Sequence, residues 1–484
     1  MEIATTLQQT TANLALFLPE LALIGGILLL LFVDLFSKES IHGWYPYLTS
    51  LLLFISIILT ARQACPCLGE RELFSSMLTL NRNTAVLKII LQSCTIGSII
   101  FIIADDKKPT LYSQNSIFYV LILSILLGGH LVVMSQNLLI TFIGIELISL
   151  CSYLLVATDK TNSLGLEASL KYLIFGAVAS ALMLYGMSWL YGLNGDLQYD
   201  GLTTYFTTHT HWFYYLIFVF VLLGFLFKLA ATPMHSWIPD IYQGAPNVVI
   251  TLLSVLPKLA AVYLLFTFSA LASDDAINQL LLVLAITSVC IGNLGAFWQQ
   301  NVKRLLAYSS IAHAGFLLLG VTVGGTYGLQ TIYFYSILLL LTNLGIFFIL
   351  EQLKTKNYEL DSYAGLGKQF PLIGVASIVL MAAFIGLPPT MGFSGKLFLF
   401  SGLWNTYKTT ADSLVLWIFV IGLLNTVLAL FYYIKLPYYL FFKENGGEQT
   451  NTTPLTLSNK FFILLITFSL LVFFVKADWL FNIL

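Results

Sequence analysis

Five ionisable residues stand deep in apolar sequence: Glu146, Lys171, Lys228, Lys258 and Lys396. Glu146, for example, is enclosed by Phe142-Ile143-Gly144-Ile145 and Leu147-Ile148. In hydrocarbon each such group, ionised and unpaired, costs about 2.5 kcal/mol or more. Burial disfavours the charged form and brings such groups toward the range where they exchange protons at working pH. One acid against four bases cannot make a set of static pairs. Some of the lysines must be neutral part of the time, and a neutral amine accepts a proton and passes it on. Glu146 needs a cation, and Lys228 and Lys171 are its two candidates. The bland alternative for Glu146 is a static salt bridge between helices, which the surplus of lysines disfavours.

Weaker candidates accompany these five. Lys228 and His235 lie seven apart, two turns along one face of a continuous helix. His235, and His313 in Ser309-Ser310-Ile311-Ala312-His313, read equally well as relay groups or as hydrogen-bonded core histidines. Lys303 and Arg304 open a helix on a basic side; the former is a candidate for proton delivery, the latter an anchor. His130, His209 and His211 read as interfacial or loop residues, and Glu20, Asp34 and Asp240 as interfacial acids near helix ends.

The elements that carry these groups follow from composition. Hydrophobic residues make up 58% of the 484-residue chain and charged residues only 9%, against roughly 25% charged in an ordinary soluble domain. Too few charges exist to cover a water-facing surface, so the bilayer is the solvent. Apolar runs of about 20 residues predict an all-α polytopic fold of about fourteen spans: 14–36, 44–61, 84–104, 116–134, 138–157, 166–193, 212–237, 248–271, 277–298, 302–323, 329–353, 370–403, 413–442 and 460–475. Loop charges orient them. With the first residues outside, eleven basic residues (Lys38, Lys107, Lys108, Lys160, Lys303, Arg304, Lys354, Lys356, Lys368, Lys443, Lys460) fall on the cytoplasmic side. Five (Arg62, Arg71, Arg82, Lys408, Lys476) fall opposite. Both termini are then expected on the outer side.

Two spans carry proline: Lys228-Leu229-Ala230-Ala231-Thr232-Pro233-Met234-His235, and Gly386-Leu387-Pro388-Pro389 through Gly395-Lys396. Proline removes a backbone donor and clashes with the turn before it. Each is the fourth helix in a run of five, which suggests two inverted repeats with broken helices rather than two ordinary kinks. The expected division is an N-terminal three-helix segment (1–113), a first repeat (114–272), a second repeat (273–443) and a C-terminal helix (444–484). Tyr112, Tyr119, Trp212, Tyr214, Tyr215, Trp237, Trp404, Trp417, Tyr432 and Tyr433 read as an interfacial aromatic belt.

Other chemistry finds no support. Net charge is −1, so nothing argues for nucleic acid. Of the five cysteines, three lie in apolar runs, and Cys65-Pro66-Cys67 alone is too small a set for zinc or an iron–sulfur cluster. No dinucleotide fingerprint, phosphate loop, haem or flavin signature occurs. No cofactor is expected in this chain, and the polar start without a basic region gives no cleavable signal peptide.

These residues also carry a family likeness. Gly144-Ile145-Glu146-Leu147-Ile148-Ser149-Leu150, Glu167-Ala168-Ser169-Leu170-Lys171-Tyr172, and Phe227-Lys228-Leu229 with Pro233-Met234-His235-Ser236-Trp237-Ile238-Pro239-Asp240-Ile241-Tyr242-Gln243-Gly244-Ala245-Pro246 are specific motifs. So are Asn301-Val302-Lys303-Arg304-Leu305-Leu306-Ala307-Tyr308-Ser309-Ser310 and Gly386-Leu387-Pro388-Pro389 to Lys396. Across essentially the whole chain they resemble the N-type antiporter-like membrane subunits of proton-pumping NADH:quinone oxidoreductase, respiratory complex I. More widely they resemble Mrp-type cation/proton antiporter subunits. Lysine at 396 and the run Pro239 to Gly244 are similar to the N type; His130 lies outside the pattern. The resemblance implies that Glu146 and Lys228 form the charge pair of a first half-channel, with Lys171 beside it. Lys258 becomes a central relay, and Lys396 the exit-side lysine of the second half-channel. It implies membrane-arm partner subunits, with NADH, FMN, iron–sulfur clusters and quinone handled by partners, and a bacterial inner membrane, with thylakoid or mitochondrial inner membrane as alternatives. A sodium/proton antiporter subunit and a passive membrane-arm scaffold are the competing functions.

Overall fold

The computed structural model describes residues 13–36, 43–64, 69–104, 115–208, 212–272, 274–353, 355–443 and 455–483. Lys38, Cys65, Cys67, Lys107, Lys108, Tyr112, His209, His211 and Lys354 lie outside them. Helices dominate: α1 (Leu18–Phe36), α2 (Tyr45–Gln63), α3 (Arg82–Ala104), α4 (Ser116–Met134), α5 (Leu138–Val156), α6 (Ser163–Asn194), α7 (Tyr199–Thr208), α8 (Trp212–Leu229), α9 (Ile238–Gly244), α10 (Asn247–Ala272), α11 (Asp275–Phe297), α12 (Val302–Val323) and α13 (Gly325–Leu353). Then come α14 (Leu366–Gln369), α15 (Pro371–Ile385), α16 (Met391–Thr410), α17 (Ser413–Tyr433), α18 (Lys435–Phe441), α19 (Leu457–Val475) and α20 (Ala477–Ile483). One element was not anticipated, an antiparallel hairpin of β1 (Arg71–Leu73) and β2 (Leu78–Leu80).

Among the described residues, thirteen helices are long and apolar enough to cross a membrane. The twelfth expected span, 370–403, is divided into α15 and α16, and α15 alone is too short to cross. Side-chain caps set many of the starts. Asn115, Asn137, Asn162, Asp274, Asn301 and Asp412 each accept a backbone N–H from the first turn that follows them. Gly195, at φ +75°, closes the long α6.

Both proline-bearing spans are true breaks. The first helix stops at Leu229, where Ala230 takes φ +63°, and helix resumes at Ile238. The second stops at Gly386, φ +87°, and resumes at Met391. Within each run of five the order recurs: three unbroken crossings, a broken one, then an unbroken one. The first two helices of each run also meet through glycine. A Cβ on Gly128 of α4 would lie 2.8 Å from the Gly144 carbonyl of α5, and one on Gly292 of α11 would lie 2.4 Å from the Ala312 nitrogen of α12. Small residues let backbones touch where lipid offers no hydrophobic drive between helices.

The centre of the bundle is α10, buried from Asn247 to Leu265, flanked by α12 and α13, which are mostly buried. α1, α17 and α19 lie at the rim, and their outer faces present Leu28, Phe32, Trp417 and Phe468. Lys258 and His313 thus stand on the helices farthest from lipid.

Candidate functional site

Lys228, Lys258 and Lys396 are buried, at 3%, 3% and 6% exposure. Lys258 is held tightly. Its Nζ donates to the Ser310 carbonyl at 2.8 Å and the Ser310 hydroxyl at 2.6 Å, and that hydroxyl lies 2.9 Å from the Tyr242 hydroxyl. One turn along α12, His313 lies between two phenols: Nδ1 is 2.7 Å from Tyr335 and Nε2 is 3.0 Å from Tyr433. Tyr433 in turn bonds the Ser309 hydroxyl, and its ring stacks on Phe384 at 5.4 Å. Both Lys258 and Lys396 act electrostatically on His313.

Lys396 follows the second break. Its Nζ donates to the Ile385 carbonyl at 2.6 Å, at the end of α15, and lies 4.9 Å from the Phe316 ring centre. The negative end of the half-helix therefore faces the amine. The same lysine lines a cavity of about 520 Å³ with Gly386, Phe393, Phe400, Trp404 and Phe419.

Lys228 is held differently. Its Nζ has no hydrogen-bond partner and sits 5.3 to 5.5 Å from the ring centres of Tyr172, Phe227 and Tyr153. Glu146 attracts it through space, but the two make no ion pair; the carboxylate instead accepts from the Ser180 hydroxyl on α6. The expected Glu146–Lys228 pair is thus an electrostatic neighbourhood and not a contact. His235 lies half-buried within the break, and no hydrogen bond joins it to Lys228. A continuous helix would have placed the two on one face; the break at Ala230 removes that register.

Lys171 departs from expectation. It pairs with Glu167 at 2.8 Å and Asp240 at 2.9 Å, its side chain is 42% exposed, and it does not touch Glu146. Four-residue spacing puts Glu167 and Lys171 on one outward stripe of α6, which is why an apolar surrounding sequence did not mean depth. Arg304 completes this cluster with Nη1 2.9 Å from both Asp240 and Gln243. Burial pushes the Asp240 carboxyl up, but Lys171 and Arg304 outweigh it and hold it below the usual carboxylate range. Lys303 points inward, donating to the Ala245 carbonyl at 2.9 Å beneath the Tyr358 ring, with Glu351 near enough to attract it.

Several groups taken as peripheral are interior. Glu20 and His130 are fully buried, and Glu20 pairs with both His130 and Lys88, a lysine that sequence reasoning passed over. Nearness of a residue to a helix end does not reveal which way its side chain points. A signal for Lys88 existed: Thr84, Lys88, Gln92, Thr95 and Ser98 recur at helical spacing, and all are buried. Tyr119, Trp237, Tyr432 and Tyr433 are also buried, not part of a belt, whereas Trp212 and Trp417 are exposed as expected. With Glu20–Lys88 counted as a pair, Lys228, Lys258 and Lys396 still have no acid in contact, so the surplus of buried bases stands.

The broken helices, the central lysines and the glycine-paired crossings define an antiporter-like membrane subunit. A family model described as "NADH:quinone oxidoreductase/Mrp antiporter, TM" matches residues 135–428. The chain is 34% identical to NADH-quinone oxidoreductase subunit N of Chlorobium chlorochromatii, covering 95% of this chain and 92% of that one. It is 35% identical to subunit N 2 of Sorangium cellulosum, covering 92% and 91%. In structure it is similar to a chain of respiratory complex I from Thermus thermophilus, with a TM-score of 0.80, 26% identity, and coverage of 96% and 98%. It shares its fold with a chain of the Mrp complex of Dietzia, with a TM-score of 0.82 at 18% identity over 97% and 96%. The chain belongs to the NADH-quinone oxidoreductase subunit N family.

Proposed function

We propose that the chain is a proton-translocating subunit in the membrane arm of NADH:quinone oxidoreductase, and that Lys228, Lys258, His313 and Lys396 are the groups that pass the proton. The observation that carries this reading is the burial of three lysine amines without an acid in contact, two of them acting electrostatically on a histidine held between phenols. Amines so placed are costly unless they release their protons as part of the work. Lys258 and Lys396 differ in what surrounds them, a serine hydroxyl against a helix-end carbonyl, so a proton on His313 repels both and favours discharge of one. Glu146 sets the charge near Lys228 without binding it. A change in that carboxylate's charge or position alters the lysine's proton affinity, and moving one proton against 100 mV requires about 2.3 kcal/mol. Lys303 on the basic side, His235 in the first break and the Lys171–Asp240 cluster are ancillary. Each run of five helices, 114–272 and 273–443, forms one half-channel, with 1–113 and 444–484 as flanking segments. Redox chemistry belongs to partner subunits that carry NADH, FMN, iron–sulfur clusters and quinone. The membrane is a bacterial inner membrane, with both chain ends on the periplasmic side.

The test is proton uptake by vesicles containing the whole complex, with Lys258→Met in this chain. Assembly and NADH oxidation are expected to persist, and proton uptake per NADH to fall. Unchanged uptake overturns the reading. A sodium/proton antiporter, which shares the fold, predicts uptake that depends on sodium; a passive scaffold predicts normal uptake after Lys228, Lys258 and Lys396 are all replaced.

A further inference from the structure

Away from the lysine row, Glu20 of α1, Lys88 of α3 and His130 of α4 meet in the interior. Lys88 Nζ and His130 Nδ1 lie 2.8 and 2.9 Å from the same oxygen, Glu20 Oε1, and all three side chains are 0% exposed. Helix directions alternate, so the start of α1, the end of α2, the start of α3 and the end of α4 share one side of the bundle. Lys88 is seventh in α3, about 9 Å in at 1.5 Å per residue. The β-hairpin lies over this end. Leu73, Leu78 and Leu80 pack on Met134 as an apolar plug.

The tautomer of His130 follows from chemistry. A carboxylate oxygen only accepts, so Nδ1 carries the hydrogen in the neutral ring, and Nε2 presents a lone pair. That Nε2 has no partner, and neither has Glu20 Oε2. Gln92, one turn below Lys88, donates through Nε2 to Ser56 at 2.8 Å and Thr60 at 3.0 Å, which leaves its Oε1 as a third buried acceptor without a donor. Lys88 spends a second hydrogen on Gln63 Oε1 at 3.0 Å. The cluster therefore holds three acceptors in want of hydrogen, one of them basic. Buried polar atoms seldom stay unsatisfied.

We propose that Glu20, Lys88 and His130 form a separate proton-binding station, in which His130 takes up one proton at Nε2, Glu20 supplies the counter-charge and Lys88 opposes the uptake. The proton adds to the ring lone pair, and the ring becomes imidazolium with Nδ1–H still donated to Glu20. No bond breaks and no electron moves. The elements packed on α4 bring other charged groups, namely Asp34 on α1, Arg62 on α2, Arg82 on α3, Glu146 on α5 and Lys258 on α10; only Glu20 and Lys88 act on the His130 ring. Below the station a polar stripe continues along α3 through Gln92, Thr95 and Ser98, with Gln92 bonded to Ser56 and Thr60 of α2. This gives the proton hydroxyl and amide neighbours on the side away from the hairpin plug. The station stands independently of the lysine row.

The test is a titration of the full-length chain in lipid vesicles, read by solid-state NMR with carbonyl-13C glycine and 15N histidine. Gly129-His130 is the one Gly-His step in the sequence, so its histidine is assigned without mutation. At high pH the ring is expected in the Nδ1–H form, and on acidification it takes up one proton. Glu20→Gln weakens that uptake about tenfold or more, and Lys88→Met strengthens it about tenfold or more. A ring that stays neutral in both the native chain and Lys88→Met, or one carrying its hydrogen on Nε2, overturns the station and leaves an ionic staple between helices. No turnover is involved, so the outcome is separate from that of the Lys258 pumping test.

Discussion

Lys258 and Ser310 meet across the bundle centre through two hydrogen bonds, one to the serine carbonyl at 2.8 Å and one to its hydroxyl at 2.6 Å. The backbone bond is fixed by α12 and the hydroxyl bond is not, so the serine side chain is the adjustable half of the contact. Hydrogen bonds to charged groups contribute roughly 1.5–3 kcal/mol. Ser310→Ala is expected to weaken the protonated form of Lys258 by that order. Proton uptake per NADH in vesicles should fall about tenfold with assembly intact. Equal uptake in the variant would show that the hydroxyl holds nothing the reaction needs.

Lys228 gives a sharper contrast between stability and work. Its amine is buried among Tyr153, Tyr172 and Phe227 with no hydrogen-bond partner. Replacing a buried charge by an apolar side chain of similar volume is often neutral or stabilising by about 1–4 kcal/mol. Lys228→Met should therefore assemble as well as the native chain and melt no lower, yet lose proton uptake. A lower melting temperature, or full uptake, counts against a transport role for this amine.

Tyr433 supplies a hydroxyl to both His313 and Ser309 while its ring stacks on Phe384. Tyr433→Phe keeps the stack and removes the hydroxyl. Loss of these two buried hydrogen bonds costs about 2 kcal/mol, which the assembled complex should tolerate. The proton-uptake rate is expected to drop severalfold because His313 loses one of its two partners. A stopped-flow pH-dye measurement in vesicles checks this.

The second break depends on Gly392. A Cβ there would lie 1.8 Å from the Ala383 carbonyl. Overpacking of this kind costs about 1–3 kcal/mol or more, and here backbone, not a flexible side chain, is in the way. Gly392→Ala is expected to lower the amount of assembled complex on native gels. Normal assembly would mean that the two half-helices separate more freely than their packing indicates.

Asp240 carries the pH prediction. Lys171 and Arg304 hold its carboxyl below the ordinary value of 3.8. A depressed acid stabilises the fold above its unfolded value and loses that contribution as pH falls through the folded one. The cluster is partly exposed, so its worth is about 0–1 kcal/mol. The melting temperature of the complex should drop slightly more steeply below about pH 4 in the native chain than in Asp240→Asn. Parallel pH profiles would leave the cluster without a stabilising role.

Crossings, breaks and central lysines were legible in the sequence because each leaves a mark along the chain. An apolar run needs only length, Pro233 and Pro388 sit where a ladder must fail, and Lys258 stands in an apolar helix that carries no acid. What was not legible depends on direction across the chain. Glu20 and His130 lie near helix ends, and only the packing of α1, α3 and α4 turns them inward. Lys171 lies in apolar sequence but faces outward, with Glu167 and Asp240 already waiting. Tyr432 and Tyr433 resemble belt residues by position; the second became part of the site because α17 presents it to His313. The hairpin of β1 and β2 escaped notice because three-residue strands carry too few residues to show alternation.

Glycine contacts weld α4 to α5 and α11 to α12 at backbone distance. Neither pair leaves room for a methyl group between its backbones, so the two helices of a pair shift little against each other. Whatever stroke accompanies a turnover is thereby handed to the places without helical hydrogen bonding, 230–237 and 386–390. The chain's compliance and its titratable cargo thus share an address, since Lys228 borders one of these joints and Lys396 the other.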